Sequence, residues 1–311
     1  MKWYTKTIIV LLSVGLFAIG AYAFSLFQAA SNANEEMYEP LESRTKSEGA
    51  SEQREASASP GEPLSFLIAG VDSHEEDGYG RADALLIVTV NAQDESIQIV
   101  SIPRDTRAEI VGHGTFEKIN HAYAYGGADM TIQTVEELFH IPIDHYLAID
   151  MDQFIEMVDT LGGITVENDF AFSLSGHDFP EGVIELNGEE ALAYVRMRKE
   201  DPEGDAGRTK RQRDVLEGVI EEGLQVSQMS SAPDLLRSLG STLQTDLTVS
   251  KMASYAQNYY PAASSISQIE LEFSEETIDG AWYALISEEE RARVSQNLLN
   301  HLGLDETTNL E

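Results

Sequence analysis

Three short stretches of the sequence carry charged residues of the kinds that bind phosphate: Asp72, then Arg81 and Asp83, then Arg104 and Asp105. A second set lies further on, with Arg196 and Arg198 followed by Asp205, Arg208 and Gln212. Arginine dominates both sets. Its guanidinium is a planar fork that grips phosphate through paired hydrogen bonds and keeps its proton. Carboxylates beside such a cluster repel phosphate unless a divalent cation bridges them. Mg²⁺ does this with one or two carboxylates plus phosphate oxygens. Asp72 and Asp83 are therefore candidate ligands for Mg²⁺, or for Mn²⁺, and the chemistry implied is the binding of a phosphate or pyrophosphate.

The elements around the first set make its residues converge. The apolar run Leu64 to Val71, ended by Asp72, reads as a buried strand, as do Ala84 to Val90 and Ile97 to Ile102. The connection at Asn91 to Glu95 is too short for a parallel crossover and predicts a hairpin. The connection at 72–80 has Gly78 and Gly80 and no helical pattern, and is read as a hairpin too. In an antiparallel meander, the end of the first strand, the start of the second and the end of the third share one sheet edge. Charged residues often flank strands, but the other ends of these strands carry no arginine.

The second set lies around a helix predicted from Arg208 to Leu224. Val215, Leu216, Val219 and Ile220 mark its apolar face. Steps of four and seven back from Val219 reach Val215 and Gln212, and Arg208 lies four earlier, so Arg208 and Gln212 point inward. A cation at a helix N-terminus opposes the macrodipole. An inward one implies an anionic ligand shared with free backbone N–H groups. Arg196 and Arg198 share a face if the chain is extended there. Lys199, Lys210 and Arg213 read as solvated charges.

Helices at Met130 to Phe139 and Phe154 to Leu161, the latter stopped by Gly162 and Gly163, alternate with strands at His145 to Ile149 and Ile164 to Val166. A capping box of Asn187 and Glu190 opens another helix. A helix at 250–260, a strand at Ile269 to Phe273 and a last helix behind Ser287 and Glu290 follow. This alternation predicts an α/β fold of mixed α+β type, a layered αβα domain with a central mixed sheet.

The 311 residues include 20 Lys and Arg against 54 Asp and Glu, a net charge of −34. That excess excludes a general nucleic-acid binder and a broad electrostatic grip on anionic lipid. It also predicts tolerance of molar salt. Yet 11 of the 20 cations fall in two windows, Arg81 to Lys118 and Arg196 to Arg213. A local anion site is thus compatible with an acidic surface. There is no cysteine, so disulfides and thiolate chemistry are excluded. The seven histidines show no ligand spacing and are read as surface or hydrogen-bonded groups.

Lys2 and Lys6 precede an uncharged apolar stretch, and Glu35 and Glu36 follow it. Its apolar length is about the ~20 residues that cross a bilayer. The flanking charges keep the N-terminus inside. Residues 1–7 then form a cytoplasmic end, 8–28 a transmembrane anchor, 29–62 a flexible Ser/Glu/Ala/Gly/Pro-rich stalk, and 63–311 an extracellular domain. Cleavage of a signal peptide behind Ala21-Tyr22-Ala23 is the alternative.

Several motifs together resemble the LytR-CpsA-Psr family. They are Gly70-Val71-Asp72, Gly80-Arg81-Ala82-Asp83, Ser101 to Thr106, Lys118 to Tyr123 with Gly126-Gly127, and Asp144 to Asp150. Val158 to Ile164, Leu186-Asn187-Gly188, Ala191 to Arg198, Gly204-Asp205 and Arg208 with Arg211-Gln212 complete them. The resemblance implies a membrane-bound transferase of a Gram-positive cell surface. It would move an anionic glycopolymer, by default wall teichoic acid, from an undecaprenyl pyrophosphate carrier to the 6-hydroxyl of N-acetylmuramic acid in peptidoglycan. The carrier's lipid tail would lie in a hydrophobic tunnel. Membrane lipid is thus a further partner, and nucleic acid is not. By the same resemblance, Asp72 and Asp83 hold Mg²⁺, and Arg81, Arg104, Arg196, Arg198, Arg208 and Gln212 hold the pyrophosphate. Arg196 and Arg198, with Asp105 or Asp205 as base, are the catalytic candidates. The chain departs from the family's usual Arg-Ser-Asp at Arg81-Ala82-Asp83, and from Arg-Gln-Gln at Arg211-Gln212-Arg213. Two other readings stay open: a membrane-anchored regulator that binds polyprenyl phosphate without turnover, and a lipid pyrophosphatase.

Overall fold

The computed structural model describes residues 28–41, 61–72, 80–150, 153–197, 201–202, 205–226, 240 and 243–304. Its strands are β1 (Leu64–Asp72), β2 (Arg81–Asn91), β3 (Ser96–Ile102), β4 (Arg107–Ile110), β5 (Thr115–Lys118), β6 (His145–Asp150) and β7 (Ile164–Asn168). They continue as β8 (Phe172–Leu174), β9 (His177–Phe179), β10 (Gly182–Leu186), β11 (Leu243–Thr245), β12 (Ile266–Ile269), β13 (Ser274–Ile278) and β14 (Ala281–Leu285). The helices are α1 (His121–Phe139), α2 (Phe154–Leu161), α3 (Gly188–Arg196), α4 (Asp205–Val226), α5 (Val249–Tyr259) and α6 (Glu288–His301).

The central sheet has six strands in the order β11-β6-β1-β2-β3-β12. β1, β2 and β3 form the expected antiparallel meander. β6 runs parallel to β1, and β12 parallel to β3, so the sheet is mixed. Successive side chains of a strand face opposite sides, and both sides here are apolar. Leu67, Ala69, Val71, Leu85 and Ile87 pack with Ile132, Val135 and Phe139 of α1 and Val294 and Leu298 of α6. Phe66, Ile68, Leu86 and Val88 face the other way, towards Leu216 of α4 and Ala262. A second core joins α2, α3, α4 and the β7–β10 region around Val158, Ile164, Phe179 and Tyr194.

The helix at Met130 reaches back to His121 through a break. Gly126 (φ −152°, ψ 24°) and Gly127 (φ 60°, ψ −149°) leave helical geometry there, and paired small residues are a usual cause of sharp kinks. The expected strand at Ile269 to Phe273 is placed earlier, at Ile266–Ile269, where it pairs with β3. Only half of the box at Ser287 forms. Ser287 Oγ accepts from Glu290 N at 3.1 Å, while the Glu290 carboxylate bonds Glu272 N and Arg293. The residues after 235 therefore complete the body, through two edge strands of the sheet (β11 and β12) and α6 in its core.

The expected membrane segment lies outside the described residues except at Gln28. Among the described residues no helix is long and apolar enough to cross a membrane. Residues 28–41, most of which fall in the stalk expected at 29–62, are packed against the body. Residues 28–37 are helical, and Ala29, Ala33 and Met37 are buried. Their i, i+4, i+8 spacing makes a narrow apolar stripe among Ser, Asn and Glu. Glu39 N then bonds Thr245 O at 2.8 Å, and Leu41 enters the main core.

Candidate functional site

Strand register brings the first charged set together. Asp72 pairs opposite Arg81 at the open end of β1 and β2. The register slips between Gly70 and Val71: Val71 faces Ala82, Gly70 faces Ala84, and Asp83 is left over. Such a bulge re-aims a side chain. Here Ala82 and Ala84 are both buried while Asp83 turns out to half-exposure. Arg104, just beyond the neighbouring end of β3, donates from Nη1 to Asp83 Oδ2 at 2.9 Å.

Asp105 is placed differently. It is only 6% exposed, with Lys118 Nζ 2.6 Å from Oδ1 and Arg104 Nε 3.6 Å from Oδ2. It backs the arginine from behind. β14 braces the same turn through Ala284 N to Asp105 O at 3.0 Å.

The second set sits on α3 and α4. Arg196 is the exposed last residue of α3, so the chain turns extended only at Met197 (φ −63°, ψ 131°), and Arg196 and Arg198 are not two residues of one strand. Arg198 lies outside the described residues, and Asp205 opens α4 without a described side chain. Arg208 is 8% exposed and Gln212 lines an apolar cavity, so both face inward as the spacing predicts. Arg213 corrects the solvated reading. It is 7% exposed, and burial pushes its pKa down. The neighbouring Asp214 carboxyl is pushed up, also by burial.

Arg211 has a role that its place in a charge run concealed. It is 4% exposed, and its Nε donates to Tyr194 O at 3.1 Å, Nη2 to Met197 O at 2.7 Å, and Nη1 to Asp201 Oδ2 at 2.5 Å. Its guanidinium lies over Phe172 and Tyr194. It thereby ties α4 to both ends of the segment that carries Arg196 and Arg198.

The cavity that Gln212 lines is formed by Ile68, Gly70, Ala84, Leu86, Phe154 and Val219, among others. Gly70 and Ala84 are register partners, and Asp72 and Asp83 follow and precede them closely in the chain. An apolar cavity thus opens beside the charged sheet edge, between the sheet and α4. Among the described residues no group of three or more acidic or histidine side chains could hold a metal by itself. The carboxylates of Asp72 and Asp83 are the donor type that Mg²⁺ takes, one or two at a time, with phosphate and water as its remaining ligands.

The LytR_cpsA_psr family model matches residues 24–300. The chain belongs to this family. The family member "Polyisoprenyl-teichoic acid--peptidoglycan teichoic acid transferase TagU" of Halalkalibacterium halodurans is 48% identical over 94% of this chain and 98% of its own length. Among solved structures of the family, Bacillus subtilis TagU has a TM-score of 0.66 and 42% identity, covering 78% of this chain and 97% of that one. TagT bound to LIIa-WTA has a TM-score of 0.66 and 29% identity, covering 78% and 92%. The layered fold with its mixed sheet is the fold of this LytR-CpsA-Psr family.

Proposed function

We propose that this LytR-CpsA-Psr protein transfers wall teichoic acid from a polyisoprenyl pyrophosphate carrier to peptidoglycan, by phosphotransfer to the 6-hydroxyl of N-acetylmuramic acid. The observation that supports the reading is the junction of a sheet edge carrying Arg81 and Arg104 beside the carboxylates of Asp72 and Asp83 with an apolar cavity. The ligand that needs both is a pyrophosphate joined to a hydrocarbon chain. The names of the TagU relatives supply the polymer and the acceptor.

In this reading Arg81, Arg104, Arg196, Arg198 and Arg208 grip the pyrophosphate, with Gln212 at the cavity mouth. Donors fixed before the reaction stabilise charge as it spreads over the phosphoryl oxygens, which is most of the work in phosphoryl transfer. Asp72 and Asp83 would hold Mg²⁺, which when bound neutralises the phosphate charge. Asp105 holds Arg104 and Lys118 in place. The cavity takes the isoprenyl chain nearest the pyrophosphate. The N-terminal segment would anchor the protein in the cell membrane and keep the site at its outer face.

Asp83→Ala and Arg198→Ala in the full-length protein are expected to abolish polymer transfer to peptidoglycan fragments while leaving the fold intact. Full activity in both would overturn this site. Omitting Mg²⁺ is expected to have the same effect as Asp83→Ala.

A further inference from the structure

Phosphotransfer to a sugar hydroxyl releases a proton that some group must take. Asp105 is enclosed by Arg104 and Lys118. A different group stands at the same edge. The chain leaving β5 runs back along the arginine turn, with Ile119 N bonded to Thr106 O at 2.8 Å and Asn120 N to Arg104 O at 3.3 Å. The next residue is His121, the first of α1.

His121 is held by a carboxylate. Its Nδ1 lies 2.8 Å from Glu117 Oε2. The same oxygen accepts from the Tyr125 hydroxyl at 2.8 Å, and Oε1 accepts from Thr115 Oγ1 at 3.0 Å. These donors, His121 first among them, hold the Glu117 carboxyl down to about 2, so it is ionised and accepts only. In its neutral form an imidazole facing such an acceptor carries its proton on Nδ1, which leaves Nε2 as the accepting nitrogen. Among the described residues nothing bonds Nε2, and the side chain is 28% exposed. Geometry of this kind, a carboxylate fixing the tautomer of an imidazole that accepts a proton at the far nitrogen, is how a dyad acts as a general base.

The other charged and titratable groups facing the dyad also connect it to the site. Tyr125 comes from the next turn of α1, and His113, from the β4–β5 turn, stacks on it at 4.2 Å between ring centres. The Glu117 hydrogen bond pushes the Tyr125 phenol up, and Arg81 opposes this, so Arg81 of the phosphate set is within electrostatic reach.

We propose that the Glu117–His121 dyad is the general base for the acceptor hydroxyl, an inference that rests on the transferase reading above. The hydroxyl proton passes to His121 Nε2 as the oxygen bonds the polymer-proximal phosphorus. The bond from that phosphorus to the bridging oxygen of the polyprenyl phosphate breaks. The proton then leaves Nε2 for the departing phosphate, which restores the neutral imidazole.

The test is single-turnover transfer by the full-length protein across pH 5 to 9. The donor is a polyprenyl-pyrophosphate-linked teichoic acid and the acceptor a peptidoglycan glycan fragment, and donor affinity is measured in parallel. His121→Gln is expected to slow transfer ~10²–10⁴-fold, the usual span of general-base catalysis. It should also remove the acid limb of the wild-type pH profile and leave donor affinity unchanged. Glu117→Gln, which keeps the shape but not the charge, is expected to lose part of the rate and displace that limb. A His121→Gln protein with wild-type rate and pH profile would overturn the dyad and leave the transferase reading standing. Loss of donor affinity in step with rate would assign His121 to binding and overturn the dyad as well. Absence of transfer by the wild-type protein would overturn the transferase reading itself.

Discussion

Arg104 at the end of β3 bonds Asp83 at the start of β2, Nη1 to Oδ2, at 2.9 Å. The pair joins a proposed phosphate-binding residue to a proposed metal ligand. Their side chains are 26% and 37% exposed. A pair that open to solvent contributes only ~0–1 kcal/mol to stability. Arg104→Ala is therefore expected to unfold within a few degrees of the wild type while transfer falls at least ~100-fold, as it does on losing one preorganised electrostatic donor. Thermal unfolding and initial rates on the same preparation check this.

Arg211 should behave in the opposite way. It is a buried cation bonded to two backbone carbonyls and to Asp201. Removing one partner of a buried ion pair costs ~3–5 kcal/mol. Arg211→Ala is expected to lose stability on that scale in urea titration. Arg211→Lys should recover little, because an ammonium cannot reproduce the planar fork.

The cavity gives a prediction about the carrier. Leu216 and Val219 of α4 face it, and each buried methylene is worth ~0.8 kcal/mol. Leu216→Trp is expected to raise the KM for a long polyprenyl donor ~10-fold or more, the effect of displacing about two methylenes. A donor with a very short chain should be nearly indifferent. Comparing the two donors separates a filled cavity from a damaged site.

Acid should weaken the rim of the site through Glu117. Its carboxyl lies below the ordinary 4.5, at about 2, so the folded state binds fewer protons than the unfolded state between those values. Stability from this group is therefore complete above about pH 4.5 and is lost as the pH falls towards 2. Glu117→Gln is expected to flatten that part of the stability curve, as measured by chemical unfolding at pH 3 and pH 6.

Much of this was legible in the residues, for reasons specific to them. Continuous apolar runs ended by Asp72 and Pro103 mark strands buried on both faces, and a five-residue connection permits only a hairpin. The convergence of Asp72, Arg81, Asp83 and Arg104 follows from those facts together with the Gly-containing, non-helical connection at 72–80. Arg208 and Gln212 were legible because they extend the helical spacing of Val215 and Val219. Arg213 and Arg211 were not. Nothing local distinguishes a buried arginine from a solvated one when its partners are the carbonyls of Tyr194 and Met197 or an acid some residues away. His121 reads from sequence as a surface or hydrogen-bonded histidine, and it is hydrogen-bonded to Glu117; its proposed role as a base has no ligand spacing to mark it. An i, i+4 partner at Glu117 across a strand-to-helix corner was the signal present. The apolar stripe Ala29, Ala33, Met37 was hidden by polar neighbours that suit a stalk equally well.

The most direct measurement is the product of one turnover by the full-length protein. A polyprenyl-pyrophosphate-linked teichoic acid, labelled at the polymer-proximal phosphorus, is mixed with a peptidoglycan glycan fragment and Mg²⁺, and the products are resolved by mass spectrometry. The expected product carries the labelled phosphorus in a phosphodiester to the 6-hydroxyl of N-acetylmuramic acid, with polyprenyl phosphate released in equal amount. Recovery of the label in free polymer would make the protein a lipid pyrophosphatase, and recovery of intact bound donor would make it a binding protein; either result contradicts the transferase.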